Sequence, residues 1–181
     1  MAVFVALLRA INVGSGRGVK MTDLARVVGE AGGEQVSTYI QSGNVVFTHE
    51  SRSPSELETE LEQGIATIAS FPVAVIVRTA AEWDDVVSGC PYDVEDPTKL
   101  HVTFSKNALQ VATLDAFDQG PYAPASFDWR EREIYLHLPD GMGRAKLPIA
   151  LGKLDTSTSP ATTRNWRTVL ELQKYSRRLV T

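Results

Sequence analysis

The sequence predicts an α+β protein with two sheets, each covered by helices. In the first half of the chain, strand and helix patterns follow one another in the order strand, helix, strand, strand, helix, strand. The second half repeats part of this order in a different sequence. We therefore expect an N-terminal half at residues 1–79, a connecting segment at 80–98, and a C-terminal half with a terminal helix at 99–181.

The composition is typical of a soluble globular protein. The chain has 181 residues, of which 43% are hydrophobic and 22% are charged. The apolar stretch at 3–8 is too short to span a membrane and has no basic segment before it, so we expect a cytoplasmic protein without a membrane partner. Cys90 is the only cysteine, which excludes an internal disulfide and a multi-cysteine zinc site within one chain.

Three strands and a helix are expected in the first 49 residues. The apolar stretch at 3–8 is the first strand. A helix over 22–31 follows from apolar residues at helical spacing, with a glycine pair as its stop. The β-rich segments 35–40 and 44–49 are joined by Ser42-Gly43, which predicts a hairpin.

A second helix and a fourth strand complete the first half. Ser53 fits an N-cap, a proline follows at the first helical position, and Glu56 completes a capping box. The helix then places leucines and isoleucines on one face and glutamates elsewhere. The segment Phe71–Val77 has almost no polar residue, so we expect it to be a central strand of the sheet.

The second half is predicted from the same kinds of pattern. Trp166 and Val169 fall on the packing face of a terminal helix that begins at about Thr162. The other expected elements are strands at 100–104, 126–130 and 133–138, a helix near 108–117 and a helix after Gly143.

The loop after the first strand is basic and rich in glycine. Arg9, Arg17 and Lys20 all precede the first acidic residue, and the glycines among them let backbone N–H groups approach a ligand closely. The pattern indicates an anion-binding loop, with a flexible loop and solvated cations as the alternative. It does not match a Walker motif, because the lysine lacks the flanking glycine and hydroxyl residue.

The hairpin turn carries Gln41, Ser42 and Asn44. Turns favour these residue types for backbone reasons, so a structural role is one interpretation. The other is that these side chains face the same ligand as Arg9 and Asn12, because Arg9 ends one strand while the turn residues lie at the ends of two others.

Two further polar motifs lie in the second half. Arg144 and Lys146 follow a glycine turn at the expected start of a helix, where the helix terminus favours an anion. Arg164 and Asn165 stand beside threonines of the type that cap helices. Trp166 follows them, and its indole either stacks on a nucleic-acid base or packs in the core.

Charge is unevenly distributed along the chain, whose net charge is −4. Residues 80–140 hold 4 basic and 12 acidic residues, whereas residues 141–181 hold 8 basic and 2 acidic residues. This asymmetry indicates either charge pairing between neighbouring elements or a positive field directed at an anionic partner. The acidic total argues against indiscriminate nucleic-acid binding, so nucleic acid is the less favoured partner.

Catalytic residues cannot be assigned from the sequence. His49, His101 and His137 lack the spacing of metal ligands, so we expect no metal site. There is no Gly-x-Ser-x-Gly motif for a hydrolase serine, and no pair of groups stands out as general acid and base. Any cofactor is equally unassigned.

Three motifs together are similar to those of a known family. They are residues 5–14 with 19–21, residues 38–47, and residues 143–147 followed by 161–166. On these segments the chain resembles the bacterial domain of unknown function 1697 (DUF1697) family, which usually has glycine at positions 10 and 15 and serine at position 145. The resemblance implies an α+β fold of two ferredoxin-like halves of βαββαβ type, each a mainly antiparallel sheet covered by helices. It implies no particular activity.

Our leading hypothesis is that the protein binds a phosphorylated or otherwise anionic small ligand in a basic cleft between the two halves. It depends on polar motifs from both halves lying at the ends of strands and helices. The alternatives are an enzyme of phosphoryl or nucleotidyl transfer, a single-stranded nucleic-acid binding protein, and a scaffold whose motifs serve only folding. The candidate ligand-binding residues are Arg9, Asn12, Lys20, Gln41, Ser42, Asn44, Arg144, Lys146, Arg164 and Asn165.

Overall fold

The computed structural model describes residues 1–13, 18–154 and 160–180. The expected anion-binding loop is therefore described only in part, since Gly14, Gly16 and Arg17 lie outside these residues. Within the described ranges, no helix has both the length and the apolar character needed to cross a bilayer.

The chain folds into two compact units. The first comprises Met1–Val87 together with Leu170–Thr181, and the second comprises Ser88–Val169. The segment 80–98, for which the sequence predicts a connection, begins with a helix at Ala80–Ser88.

The first unit contains a four-stranded antiparallel sheet in the order β2-β3-β1-β4. Alternate residues of its strands pack against two helices, α1 and α2, in one apolar core. This is the ferredoxin-like arrangement, which confirms the predicted fold class. The elements are β1 (Ala2–Leu8), α1 (Met21–Glu30), β2 (Glu34–Tyr39), β3 (Asn44–His49), α2 (Pro54–Ala66), β4 (Val75–Thr79) and α3 (Ala80–Ser88).

Helix α2 begins as its sequence predicts. The Ser53 hydroxyl accepts a hydrogen bond from the N–H of Glu56, and the Glu56 carboxylate accepts one from the N–H of Ser53. Two N–H groups that the helix leaves without an internal partner are thereby satisfied.

Strand β4 lies at an edge of the sheet, so the expectation of a central strand is wrong. Side chains of α2 cover that edge. Oε1 of Glu62 accepts a hydrogen bond from Val75 N at 2.9 Å, and Oε1 of Glu58 accepts one from Val77 N at 3.0 Å. Glu58 is 5% exposed, so a glutamate expected on the solvated face is buried. An apolar strand is tolerated at this edge because the helix supplies the missing hydrogen-bond acceptors.

The second unit repeats the topology, with a four-stranded antiparallel sheet in the order β6-β7-β5-β8. The last helix, α6, follows β8 directly and continues into the first unit at Leu170. The elements are β5 (Leu100–Ser105), α4 (Val111–Asp115), β6 (Ser126–Arg130), β7 (Glu133–His137), α5 (Leu147–Gly152), β8 (Ala161–Asn165) and α6 (Trp166–Val180).

The terminal helix begins at Trp166, so the start expected at about Thr162 is wrong. Residues 161–165 instead form β8, which pairs with β5. The threonines in this segment are β-branched, and such side chains suit a pleated sheet as well as a helix cap. The helix is capped by Asn165, whose Oδ1 accepts a hydrogen bond from the N–H of Thr168 at 3.2 Å.

Candidate functional site

Asn12 joins the loop after β1 to the turn between β2 and β3. Its Nδ2 donates hydrogen bonds to the carbonyl oxygens of Val19 at 3.0 Å and Gln41 at 2.6 Å. Its Oδ1 accepts one from Val19 N at 2.9 Å. All three of these hydrogen bonds are therefore made to backbone groups. They hold the loop segment at Val19 and the turn at Gln41 together. We call the joined segments 9–12, 18–20 and 39–44 the Asn12 junction.

Hydrogen bonds within the turn also stabilise this junction. Nδ2 of Asn44 donates to the carbonyl oxygen of Tyr39 at 3.0 Å and to the Ser42 hydroxyl at 2.8 Å. Asn44 is fully buried. Gly43 has a φ of +72°, and a Cβ atom there would lie 2.7 Å from the Cβ of Leu8. Asn44 and Gly43 are thus structural parts of the turn.

Three non-glycine residues of the junction have a left-handed backbone. The φ angles are +54° at Ala10, +55° at Asn12 and +47° at Ile40. Asparagine tolerates this conformation, but a β-branched isoleucine does not, and Ile40 is 53% exposed. Asn12 and Asn44 hold the backbone on either side of Ile40 in place. Strain maintained in this way concentrates at functional sites.

Arg9 and Lys20 are exposed residues at the two ends of the loop that Asn12 anchors. Arg9 follows β1, and its N–H donates to the carbonyl oxygen of Ala74 at 2.9 Å. Lys20 is the N-cap residue of α1, and it makes no side-chain cap hydrogen bond. The first N–H groups of α1 add partial positive charge here, which Asp23 in the first turn offsets in part. Asn12 is thus bonded to the backbone of Val19 and Gln41, and along the chain Arg9 lies three residues before Asn12 while Lys20 follows Val19.

Arg144 and Lys146 are exposed in the second unit. Arg144 ends a 3₁₀ turn at Met142–Arg144, and Lys146 is the N-cap residue of α5. This helix has six residues, so it contributes little of the helix-terminus charge on which the sequence argument relied.

Arg164 and Asn165 serve the fold of the second unit. Arg164 is 8% exposed, and its Nη1 donates to Oγ1 of Thr162 at 2.7 Å and to the carbonyl oxygen of Thr163 at 3.0 Å. Burial lowers the pKa of Arg164 to about 10. Asn165 caps α6. The structure therefore gives each of these two side chains a role inside its own unit.

A family model described as "Protein of unknown function (DUF1697)" matches residues 1–135, which include the whole Asn12 junction. The chain belongs to the DUF1697 family. The conserved bacterial protein SP0830 from Streptococcus pneumoniae has a similar structure, with 22% sequence identity and a TM-score of 0.79 over 98% of this chain and 99% of that one. At this identity the likeness concerns the fold alone. No curated protein matches the sequence.

Sequence reasoning missed a second buried arginine of this DUF1697 chain. Arg78 on β4 is 1% exposed, and its Nη1 donates to the carbonyl oxygen of Val77 at 3.1 Å. A lone arginine at the end of an apolar strand was the available sign in the sequence, because such a side chain is buried only with polar partners.

The described part of the DUF1697 chain contains no group of three or more His, Cys, Asp or Glu side chains that could hold a metal ion. Nε2 of His49 lies 3.2 Å from the carbonyl oxygen of Ala31, and its Nδ1 accepts a hydrogen bond from Ser51 N. The Cys90 thiol donates to the carbonyl oxygen of Tyr92 at 3.4 Å. Burial raises the pKa of this thiol, which is opposite to what a nucleophile needs.

The second unit also contains a cavity of about 470 Å³ that sequence reasoning did not predict. None of the ten candidate residues lines it, although all ten are described. Thr103, Ser105 and Thr163 are among its lining residues. Threonine is common in ordinary strands, so the sequence contained no sign of a cavity at these positions.

Proposed function

We propose that the Asn12 junction of the first unit binds a phosphorylated or otherwise anionic small ligand. The observation that carries the proposal is the bridge from Asn12 to Val19 and Gln41. It holds Asn12 and Val19 against the turn before any ligand arrives. Preorganised groups bind more tightly because less conformational entropy is lost on association.

The charges of the junction favour an anion. Residues 9–22 contain arginines and a lysine but no acidic residue. The start of α1 adds N–H groups without a side-chain cap. For a phosphate or carboxylate group bound there, Arg9 and Lys20 would supply positive charge and the start of α1 the positive end of a helix.

The apolar surface of the same region favours a ligand with more than an anionic group. Val13, which follows Asn12, is 69% exposed, and Ile40, which precedes Gln41, is 53% exposed. Exposed apolar side chains beside cations suit a ligand that combines an anion with an apolar or aromatic part. Aromatic phosphates and nucleotides belong to this class.

Thermal-shift and calorimetric titrations test the proposal with inorganic phosphate, a sugar phosphate and a nucleoside monophosphate. A ligand at one hundred times its dissociation constant should stabilise the protein by about 2.7 kcal/mol. The double variant Arg9→Gln/Lys20→Gln should bind at least tenfold more weakly. The control is Arg26→Gln on α1, whose arginine side chain is 51% exposed and pairs with Glu30 in the next turn.

The controls also separate the alternatives. Turnover of a phosphorylated compound that is lost in Arg9→Gln would indicate an enzyme, whereas binding without turnover supports the proposal as stated. Oligonucleotide binding that weakens steeply with salt and quenches tryptophan fluorescence would instead indicate a nucleic-acid binding protein. Absence of stabilisation by all three anions, or equal weakening in Arg26→Gln, would refute the proposal.

A further inference from the structure

We propose that the second unit binds a small uncharged ligand in the cavity on the helix-covered face of its sheet. The cavity has a volume of about 470 Å³, which is within the usual range of small-molecule sites. Strands β5, β7 and β8 form its floor, and residues of α4 and α5 form its walls. All of its lining residues belong to the second unit, whereas the Asn12 junction belongs to the first.

The first unit shows the same position with a closed core. Val5 lies opposite Arg78 in the first sheet and Val102 lies opposite Arg164 in the second, which aligns the two sheets residue by residue. In the first sheet, the core-facing residues Ala6, Leu8, Val75 and Val77 are at most 1% exposed. Under this alignment Ala6, Leu8, Val75 and Val77 of the first sheet correspond to Thr103, Ser105, Ala161 and Thr163 of the second.

Hydroxyl groups replace apolar side chains at three of these four positions. All four residues of the second sheet line the cavity. Oγ1 of Thr103 and Oγ1 of Thr163 lie 2.8 Å apart, so one hydroxyl donates to the other. The pair retains one O–H donor and free acceptor lone pairs. An acceptor group of a ligand would satisfy the donor that remains in the Thr103–Thr163 pair.

The helices of the second unit explain why the cavity is open. Helix α4 has 5 residues and α5 has 6, whereas α1 has 10 and α2 has 13. Shorter helices cover less of the sheet. Apolar side chains remain exposed beside the lining: Val111 at 49%, Ile149 at 66% and Leu154 at 37%. Such a rim favours entry of a ligand with an apolar body.

The lining also determines the charge of the ligand. No charged side chain is present among the described residues that line the cavity. An ion buried there would lose its hydration without gaining a counter-charge, which is strongly unfavourable. Leucine and isoleucine side chains surround the hydroxyl pair. The ligand class is therefore a neutral molecule with an apolar body and one or a few hydrogen-bonding groups.

Two fluorescent probes with the same ring system test the proposal on the full chain. N-phenyl-1-naphthylamine is neutral and has one N–H donor, and 1-anilinonaphthalene-8-sulfonate adds a sulfonate to the same skeleton. The neutral probe should bind at one site with enhanced fluorescence. In the double variant Arg9→Gln/Lys20→Gln, which removes the proposed anion site of the first unit, the sulfonate should bind at least tenfold more weakly than the neutral probe, because the described lining offers it no cation.

Variants locate the binding. Ala161→Leu enlarges a side chain in the lining and should weaken binding of the neutral probe at least tenfold. Thr163→Val, which copies Val77 of the first sheet, keeps the shape but removes a hydroxyl and should weaken binding about fivefold. The control is Thr59→Val. Thr59 is exposed on α2, and its hydroxyl donates a hydrogen bond to the Ser55 carbonyl oxygen within the same helix.

Methyl chemical shifts of the natural sequence provide a measurement that does not depend on a variant folding. Addition of the neutral probe should shift the methyl signals of Ile134, Leu136 and Leu151, which line the cavity. Shifts confined to methyl groups outside the lining would overturn the proposal. So would equal affinity for the two probes in Arg9→Gln/Lys20→Gln, no binding of the neutral probe up to its solubility limit, or unchanged binding in folded Ala161→Leu.

Discussion

Arg78 and Arg164 occupy the same position in the two sheets. Each lies opposite a valine of a central strand, and each directs Nη1 to the carbonyl oxygen of the residue before it, at 3.1 Å and 3.0 Å. The next residue in each case caps the helix that follows. Thr79 does so in a capping box with Glu82, and Asn165 does so through the N–H of Thr168.

This correspondence extends the repeat from topology to individual side chains. A buried guanidinium is retained at one register position although the sequences around it differ. The two arginines align the sheets. This alignment shows that the cavity of the second unit lies where the first unit has a closed core.

The Asn12 bridge should stabilise the first unit. Asn12→Ala removes three hydrogen bonds and leaves alanine in a left-handed conformation. We expect the free energy of unfolding in urea to fall by about 2–3 kcal/mol. Gln63→Ala, which removes an exposed amide on α2, should change it by less than about 0.5 kcal/mol. Equal effects of the two substitutions would contradict the bridging role.

Two glycine substitutions should act in opposite directions. Gly43→Ala places a Cβ atom 2.7 Å from Leu8 Cβ and Ile11 Cδ1 at a φ of +72°, so we expect a loss of more than about 2 kcal/mol in unfolding free energy. Gly29→Ala in α1 meets no atom within 4 Å and should gain up to about 1 kcal/mol from helix propensity. Differential scanning calorimetry compares the two, and a stable Gly43→Ala protein would disprove the packing argument.

Relief of backbone strain at Ile40 should stabilise the protein. Ile40→Asn retains the left-handed conformation with a residue that tolerates it, and the exposed isoleucine loses little packing. The expected gain in unfolding free energy is about 1 kcal/mol. Val13→Asn is the control, because Val13 is similarly exposed but is not among the described residues with a positive φ. A gain of the same size in the control would argue against strain as the cause.

His101 should make stability depend on pH. Burial lowers the pKa of His101 below its ordinary value of 6.5, and its Nδ1 has no hydrogen-bond partner in the described part of the protein. Between the lowered folded pKa and 6.5, the unfolded chain binds a proton that the folded chain does not. Stability therefore rises with pH through this window and is lost on acidification.

His101→Phe, which copies the corresponding Phe4 of the first sheet, should reduce the loss of stability between pH 7 and pH 5. Urea denaturation at several pH values measures it. If the pH dependence of stability were unchanged in the variant, other titratable groups would be its cause.

Much of the fold could be predicted from local patterns. The capping box at Ser53 and the apolar spacing of α1 appear at the expected positions because they depend on neighbouring residues alone. Strand β8 could not be recognised, because Thr162 and Thr163 suit a cap and a strand equally well and only pairing with β5 decides between them. The edge position of β4 escaped prediction for a similar reason, since Glu58 and Glu62 reach it from another element.

The candidate site was predictable only in part. Asn12, in the loop after β1, is hydrogen-bonded to the Gln41 carbonyl in the turn between β2 and β3. That the side chains of these segments face one ligand stays a prediction. The Asn12 amide makes its hydrogen bonds to backbone groups because of the loop geometry. The local sequence around Asn12 does not determine that geometry. Arg164 was expected to face a ligand, and its burial follows from β8, which was itself missed.

The carboxylates on the margin of β4 also bear on the behaviour of the chain at high concentration. The N–H groups of Val75 and Val77 already donate to these carboxylates. They are therefore not available to pair with a strand of a neighbouring molecule. The opposite margin, β2, has an irregular register between Glu34 and Ser37 and a left-handed Gln35. Both sides of the first sheet therefore oppose the intermolecular strand addition by which β-rich proteins polymerise.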